Sequence, residues 1–394
     1  MSSSWLNAID KRKHAGVLSF DLSSAFDSID STILCKKLRI YGFNESAINW
    51  IRSYLSNRQQ FVQFSGQKSS ILTIVIGAPQ GSCLSPIFFI ILLADISDWT
   101  INALIEGFAD DISATVIEDS TNKVISNLEK DATNILKFMA SNKLIANDSK
   151  TMFILFGKKP HDNTKYSLSV GNSIIMEQPT IKLLGLNISN DLKWNNHLDQ
   201  TLNTLNHRMF LFRHVRKFLP DHVIHIVSDA LITSHIRYVL PLFTHPRISE
   251  HSSQSSISNK LQVVQNQMTR TWLKVKLSDK VNMAKARTNL GFMSVNQMAV
   301  FSILSETRKI LVNDTIPWIK TILTSYGTTE ITTRAKSTNK LRSQSSNSQK
   351  NANGFIHQAS LLWNMIPSEL RDPSCSDVAF KRNLKRWIQA SNIP

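Results

Sequence analysis

Leu104-Ile-Glu-Gly-Phe-Ala-Asp-Asp-Ile-Ser-Ala-Thr-Val116 is a stretch in which two adjacent acids, Asp110 and Asp111, interrupt an apolar run. Apolar and hydroxyl side chains alternate after the acids, a pattern that predicts a β-hairpin with the two acids at its tip. Carboxylates in so tight a turn repel each other, and a divalent cation such as Mg²⁺ would relieve the repulsion. An exposed acidic turn without a metal ion is the alternative interpretation.

A third carboxylate follows an upstream apolar segment. Val17-Leu-Ser-Phe-Asp21 predicts a short strand that ends at Asp21. After a loop, Asp30 or Ser31 can cap a helix that ends at Gly42. The sequence therefore predicts acids at the ends of two separate strands.

Gly77-Ala-Pro-Gln-Gly-Ser82 is rich in turn-forming residues. Pro79 fixes φ, and Gly81 permits a backbone geometry and a close approach that a side chain would block. A nucleotide or a template strand could then lie against the main chain. A plain connection between a strand and a helix is the simpler alternative.

These stretches occur in the order and spacing of a known family. Asp21-Leu-Ser-Ser-Ala-Phe-Asp27, Gly77-Ala-Pro-Gln-Gly-Ser-Cys-Leu-Ser-Pro86 and Phe108-Ala-Asp-Asp111 resemble motifs A, B and C of the reverse transcriptase palm, most closely those of jockey-type non-LTR retrotransposons. Asn147-Asp-Ser-Lys150 resembles motif D, and Leu183-Leu-Gly-Leu186 resembles the primer-grip motif E. Leu192-Lys-Trp-Asn-Asn-His197, Leu261-Gln-Val-Val-Gln265 and Leu362-Trp-Asn-Met-Ile-Pro367 extend the resemblance over most of the chain.

The resemblance implies an RNA-directed DNA polymerase in which two metal ions assist the transfer of a nucleotide to a primer 3′-hydroxyl. Asp21 and Asp110 would bridge two Mg²⁺ ions, with Mn²⁺ possible instead. Asp111 and the main-chain carbonyl of Leu22 would be further metal ligands. Lys150 would donate a proton to pyrophosphate, although a surface charge is an equal alternative.

The resemblance also implies contacts with substrates. Phe26 would exclude a 2′-hydroxyl and so select deoxynucleotides; a core phenylalanine is the alternative. Pro79, Gln80 and Gly81 would bind substrate, the last two through the template base and backbone. Asp27 is expected to cap the following turn. The implied partners are an RNA template, a DNA primer and a dNTP, and the oligomeric state is not determined by the sequence.

The charge of the chain is uneven. Residues 1–190 contain 18 Lys and Arg against 17 Asp and Glu, net +1, whereas residues 191–394 contain 27 against 12, net +15. A polyanion partner is the leading explanation, because phosphate contacts from basic side chains release condensed counterions. A basic surface that keeps the protein in solution is the alternative.

Other sequence features exclude several classes of protein. The longest apolar run, Ile87 to Ala94, is too short to cross a bilayer, so no transmembrane helix is predicted. The first ten residues lack a charged segment followed by an apolar core, so no secretory signal is predicted. The three cysteines lack the paired spacing of a zinc site, and the histidines lack the spacing of a zincin or a catalytic triad. An intracellular protein of the nucleus or cytoplasm is expected.

The predicted fold class is α+β: a right-hand polymerase palm with an antiparallel sheet and packed helices over residues 1–190. A basic helical thumb or connection over 191–326, a polar linker over 327–354 and a small helical module over 355–394 are expected to follow. Only 20 residues precede Asp21, so an N-terminally truncated chain without fingers is expected. A catalytically silent nucleic-acid-binding remnant, and a maturase or telomerase-like polymerase, are the alternatives.

Overall fold

The computed structural model describes residues 2–157, 165–238, 240–243, 256–313, 315–324, 339–342 and 354–391. The chain divides into two compact units. The first comprises residues 11–193, and the second comprises residues 2–10 and 194–394. The first unit combines an antiparallel sheet with helices and the described part of the second is helical, so the predicted α+β class is confirmed.

Twelve strands and four α-helices are described in the first unit. The strands are β1 His14–Phe20, β2 Arg58–Gln60, β3 Gln63–Phe64, β4 Gln67–Lys68, β5 Leu72–Ile74, β6 Leu104–Phe108, β7 Asp111–Glu118, β8 Met152–Phe156, β9 Ser167–Val170, β10 Ser173–Met176, β11 Thr180–Leu183 and β12 Leu186–Ser189. The helices are α2 Ser31–Ile40, α3 Glu45–Leu55, α4 Ser85–Leu93 and α5 Thr121–Ser141, with 3₁₀ turns at Ala25–Ser28 and Ile96–Trp99.

The central sheet has four antiparallel strands in the order β6-β7-β1-β8. Helix α5 covers one face, and Gly16 of β1 permits its close approach, since a Cβ at Gly16 would lie 2.5 Å from a methyl carbon of Val124. The hydroxyl residues of β7, Ser113 and Thr115, are as buried as their apolar neighbours. Both faces of β7 are therefore covered.

The start of helix α2 follows the local sequence signal. The Asp30 carboxylate accepts hydrogen bonds from the N–H groups of Thr32 (2.8 Å) and Ile33 (3.1 Å), which confirms the predicted cap of α2. Asp30 also pairs with Lys143 at 2.7 Å. Burial alone would raise the pKa of Asp30, but the Lys143 ammonium and the two N–H groups outweigh burial and lower that pKa below its ordinary value.

In the sequence, residues 61–64 and 71–76 each have the pattern of a strand, and a turn at Ser65 and Gly66 predicts that the two pair as a hairpin. The pairing in the structure is different. The predicted turn at Ser65 and Gly66 is present, with φ of 47° and 81°, but it joins β3 to β4. Strand β5 instead pairs with β2, which ends immediately before the expected strand. The turn was predicted correctly, because it depends on neighbouring residues. The pairing of the outer strands was not, because it depends on how the two arms of the hairpin fold together.

The second unit consists of helices. They are α1 Ser2–Asp10, α6 Asn195–Val215, α7 Asp221–Ser228, α8 Ser234–Arg237, α9 Leu240–Phe243, α10 Ser256–Leu273, α11 Met283–Asn289, α12 Val295–Asn313, α13 Pro317–Thr324, α14 Phe355–Met365 and α15 Asp377–Ala390, with a π-helical turn at Asp229–Thr233 and a 3₁₀ turn at Ser368–Arg371. Helix α12 contributes to two cores, one with α6, α7 and α10 and another with α13, α14 and α15. Residues 355–391 therefore share a core with earlier helices.

Most of the predicted polar linker, residues 327–354, lies outside the described residues. Five linker residues, 339–342 and 354, are described, and Leu341 among them is buried against the second of these cores. The division into four domains stays a prediction.

One stretch of the described chain, Asp221–Leu242, is apolar and long enough to cross a membrane by length and composition alone, with a mean hydropathy of 1.2. Ile224, Ile232 and Ile236 of this stretch are fully buried in the core of the second unit. These residues belong to a core of the second unit, so the stretch is not a clear membrane span.

Candidate active site

Strand register brings the three predicted acids to one edge of the central sheet. Asp21 directly follows β1, Asp110 lies in the turn of the β6–β7 hairpin, and Asp111 begins β7. Phe20 pairs with Ile112 across β1 and β7, so the next step of that register sets Asp21 beside Asp111. The predicted hairpin with acids at its tip is therefore present.

The three carboxylates interact through their charges. Burial raises the pKa of Asp111 above its ordinary value, and the negative charges of Asp110 and Asp21 raise it further. Asp21 forms an ion pair with Lys150, whose ammonium nitrogen lies 3.2 Å from the Asp21 carboxylate. The predicted motif D lysine and the predicted motif A aspartate are thus in contact.

The donor chemistry of these residues suits a divalent cation, since hard ions prefer carboxylate oxygens and repelling carboxylates gain most from a cation. Their side chains, however, do not converge on one point. Within the described ranges, no group of three or more His, Cys, Asp or Glu side chains is arranged to hold a metal ion. A cation bound by Asp21, Asp110 and Asp111 would therefore require their carboxylates to rotate and Asp21 to leave Lys150.

Leu22, the predicted carbonyl ligand, is held by an isolated bridge to Ala146. The Ser23 N–H donates to Ile145, and the Asn147 N–H donates to the carbonyl of Asp21, at 2.9 and 2.8 Å. The bridge thus uses the carbonyl of Asp21 and not that of Leu22. This anchoring fixes the backbone on which Asp21 is carried.

Phe26 is half-buried. Its ring packs against Phe89 of α4 with centroids 5.5 Å apart, and its carbonyl accepts the N–H of Ala78 at 2.9 Å. The side chain therefore belongs partly to the core, while its partial exposure leaves ring surface for a substrate. Both interpretations of Phe26 remain compatible with its position.

The turn that contains Pro79 is joined directly to the backbone around Phe26. Gly77 has a φ of 102°, its N–H donates to Ile29 at 2.9 Å, and a Cβ there would lie 3.0 Å from the Asp27 backbone. Gly81 has a φ of 84°, but an added Cβ would meet open space within the chain. The internal close approach is therefore at Gly77, and at Gly81 only the backbone geometry requires glycine.

Asp27 does not cap a helical turn, contrary to expectation. Its carboxylate accepts hydrogen bonds from the side-chain amide of Gln80, at 3.1 and 3.3 Å. Motifs A and B, which are more than 50 positions apart, are thus connected by side chains as well as by backbone. This contact leaves the Gln80 carbonyl oxygen as the group that could accept from a substrate.

Sequence reasoning missed Arg58. This first residue of β2 donates to the carbonyl of Gly77 at 2.9 Å and lines a cavity of about 590 Å³ together with Asp27, Pro79 and Gln80. No motif marks Arg58 in the sequence, because its position depends on how the β2–β5 arm folds back. The cavity is large enough for part of a nucleotide or a base.

Ser85 stands where glycine is more usual in the family that the chain resembles. Its buried hydroxyl donates to the carbonyl of Pro79 at 2.7 Å. The substitution therefore adds a bond that holds the turn.

The acids at the sheet edge and the glycine turn lie on the elements that the resemblance to a polymerase palm predicts. Residues 3–188, slightly less than half of the chain, match the family described as "Reverse transcriptase (RNA-dependent DNA polymerase)".

Similar proteins indicate which kind of reverse transcriptase the chain resembles. The chain is 23% identical over 273 residues to a probable RNA-directed DNA polymerase from transposon BS of Drosophila melanogaster, a match that covers 67% of this chain and 30% of the relative. It is 24% identical over 201 residues to the RNA-directed DNA polymerase from mobile element jockey of the same organism, covering 49% and 22%. The jockey polymerase of Drosophila funebris is 26% identical over 204 residues, again covering 49% and 22%. The predicted resemblance to jockey-type reverse transcriptases is confirmed.

The matched region spans less than a third of the length of these relatives. Among solved structures, apo telomerase from Candida tropicalis is similar at 13% identity and a TM-score of 0.39, covering 75% of this chain and 48% of that one. Telomerase from Candida albicans in complex with a fragment of telomeric RNA has 15% identity and a TM-score of 0.36, covering 81% and 52%. The family assignment depends on the sequence matches.

Proposed function

We propose that this chain is the catalytic part of an RNA-directed DNA polymerase of a non-LTR retrotransposon. The single observation that carries the proposal is the register of β1 and β7, which brings Asp21 beside Asp111 at the tip of the hairpin. Reverse transcriptases generally use divalent metal ions. The proposed cofactor is a pair of Mg²⁺ ions held by Asp21, Asp110, Asp111 and the carbonyl of Leu22, with Mn²⁺ as a substitute.

The bound cations would activate the primer 3′-hydroxyl and neutralise charge on the triphosphate. The residues of the chain would position the reacting groups. Asp21 and Asp110 would hold the reacting groups at the sheet edge, and Lys150, released from Asp21, would lie close enough to donate a proton to the leaving pyrophosphate. Gln80, oriented by Asp27, would present its carbonyl oxygen towards the template side.

Primer extension tests the proposal. The 394-residue protein is incubated with a DNA primer annealed to an RNA template, dNTPs and Mg²⁺, and labelled product is resolved by length. Template-dependent extension that stops when EDTA is added is expected. If extension does not exceed that of an Asp110→Asn control while the primer–template is still bound, the catalytically silent alternative holds for this chain.

Phe26 gives a prediction about sugar selection. Phe26→Val is expected to raise ribonucleotide incorporation relative to deoxynucleotide by at least about tenfold, because discrimination by steric exclusion is worth about 1–3 kcal/mol. Incorporation of each nucleotide is measured by single-turnover extension.

The matched control is Phe89→Leu, which removes the same ring contact from the core side. It should lower activity without changing the ratio of the two nucleotides. An equal fall in both rates for Phe26→Val would make Phe26 a core residue.

Nucleic-acid binding is expected to depend on the second unit, in which the exposed face of α15 carries Lys381, Arg382, Lys385 and Arg386. A second basic group lies towards the end of α6 and just after it, formed by Arg208, Arg213, Arg216 and Lys217. It contributes less, because Arg216 is buried and hydrogen-bonded to the carbonyl of Trp272. Lys385→Glu with Arg386→Glu should weaken binding and reduce the slope of log K against log salt by roughly 1 to 2.

The control reverses the same number of charges on exposed Lys123 and Lys130 of the first unit. Filter binding of RNA is measured across a salt series for both variants. Equal losses in the two variants would show that overall charge, and not α15, controls binding.

A further inference from the structure

Three arginines are buried in the described part of the second unit: Arg216, Arg308 and Arg371. Two of them have a carboxylate partner, since Arg216 pairs with Asp221 at 3.0 Å and Arg308 pairs with Asp377 at 3.2 Å. Backbone carbonyls complete the environment of both guanidinium groups. These two show how this fold compensates a buried positive charge.

Arg371 is different. It is 6% exposed, and its Nη1 donates to the carbonyl of Asn364 at 3.2 Å. Its Nε has no hydrogen-bond partner, and no carboxylate of the described residues lies within ion-pair distance. A buried charge without a counterion costs several kcal/mol, so the site favours an anion.

Arg371 lines a cavity of about 340 Å³. Arg308 and Lys340 also line it, whereas no acidic side chain is found among its described lining residues. The volume is about ten times the share of one water molecule in the liquid, roughly 30 Å³. The cavity therefore combines positive charge with room for a polyatomic group.

The cavity wall is fixed by side chains of the stretch that resembles the jockey-type pattern. The Asn364 amide accepts from the Leu341 N–H at 2.8 Å and donates to the Leu341 carbonyl at 2.9 Å. The indole N–H of Trp363 donates to the carbonyl of Asn339 at 3.0 Å. These bonds hold residues 339–341 against α14, so the wall is ordered before any ligand arrives.

We propose that this cavity binds a phosphate group, carried either by the end of a nucleic-acid strand or by a free nucleotide. A guanidinium with an unsatisfied N–H group matches the oxygens of phosphate better than any other side chain does. The site lies in the second unit and needs none of the carboxylates of the central sheet. The proposal can therefore be tested independently of polymerase activity.

The first test measures thermal unfolding of the 394-residue protein at constant ionic strength while inorganic phosphate replaces chloride. Phosphate should raise the unfolding temperature of the wild-type protein and of Arg52→Gln, an exposed control on α3, but not of Arg371→Gln. Fitted phosphate affinity should fall at least about tenfold in Arg371→Gln, as expected when a charged hydrogen bond is lost. Arg371→Lys should recover part of it.

The same variants distinguish a binding role from a structural one. Without phosphate, Arg371→Gln should be as stable as the wild-type protein or more stable, because it removes an uncompensated charge. Arg308→Gln should be less stable, because it leaves Asp377 and several carbonyls without their donor. A destabilised Arg371→Gln, or a phosphate effect equal in all variants, would overturn the proposal.

The source of the phosphate is resolved by calorimetric titration with three probes: AMP, a short RNA with a 5′-phosphate, and the same RNA with a 5′-hydroxyl. A strand-end site binds the phosphorylated RNA more tightly than the hydroxyl form, and Arg371→Gln removes the difference. A nucleotide site binds AMP with the same dependence on Arg371. If no probe shows a contribution that depends on Arg371, the proposal is wrong.

Discussion

Asp110→Asn is expected to lower primer extension at least about 100-fold while leaving folding and nucleic-acid binding close to those of the wild-type protein. The change keeps the volume of the side chain but removes the negative charge that a catalytic cation would need. It also removes one of the two neighbouring charges that raise the pKa of Asp111, so that pKa should fall towards its ordinary value. Single-turnover extension and NMR titration of the carboxylates measure the two effects.

Asp98→Asn is the matched control, because Asp98 is an exposed acid in the 3₁₀ turn before the hairpin. It should leave extension within about twofold of wild type. Extension by Asp110→Asn at the wild-type rate would remove Asp110 from the active site.

Asp131→Ala is expected to destabilise the first unit by about 3 kcal/mol. Asp131 is completely buried, and its carboxylate accepts the N–H groups of Ile101, Asn102 and Ala103 at 3.0, 2.8 and 2.6 Å. Alanine would leave three donors without an acceptor, and each buried unsatisfied group costs about 1–3 kcal/mol. Urea unfolding, followed by a probe in each unit, measures the change.

Asp131→Asn separates charge from hydrogen bonding, because an amide keeps one acceptor oxygen at the same place. It should cost less than Asp131→Ala, and Asp98→Ala on the neighbouring turn should cost under about 0.5 kcal/mol. The three donors lie directly before β6, so losing their acceptor should also loosen the hairpin that carries Asp110. An unchanged unfolding midpoint for Asp131→Ala would mean that solvent replaces the carboxylate.

The sequence by itself determined the features that depend on neighbouring residues. The alternation after Asp111 specified β7, the Ser65–Gly66 turn specified a hairpin, and Asp30 specified the start of α2. A cap or a tight turn is satisfied within a few residues, so its pattern is visible without the fold. The order and spacing of motifs A, B and C, which contain the acids and the glycine turn, were then enough to indicate the resemblance to reverse transcriptases.

Only the tertiary structure decided the contacts whose partners are distant in the chain. The pairing of Asp27 with Gln80 and of Lys150 with Asp21, and the acceptor role of Asp131, depend on which elements pack together. Arg371, which has no carboxylate partner among the described residues, is the clearest case, since whether an arginine has a counterion is a property of its surroundings. Burial and charge compensation arise only when the chain is folded, and no local pattern encodes them.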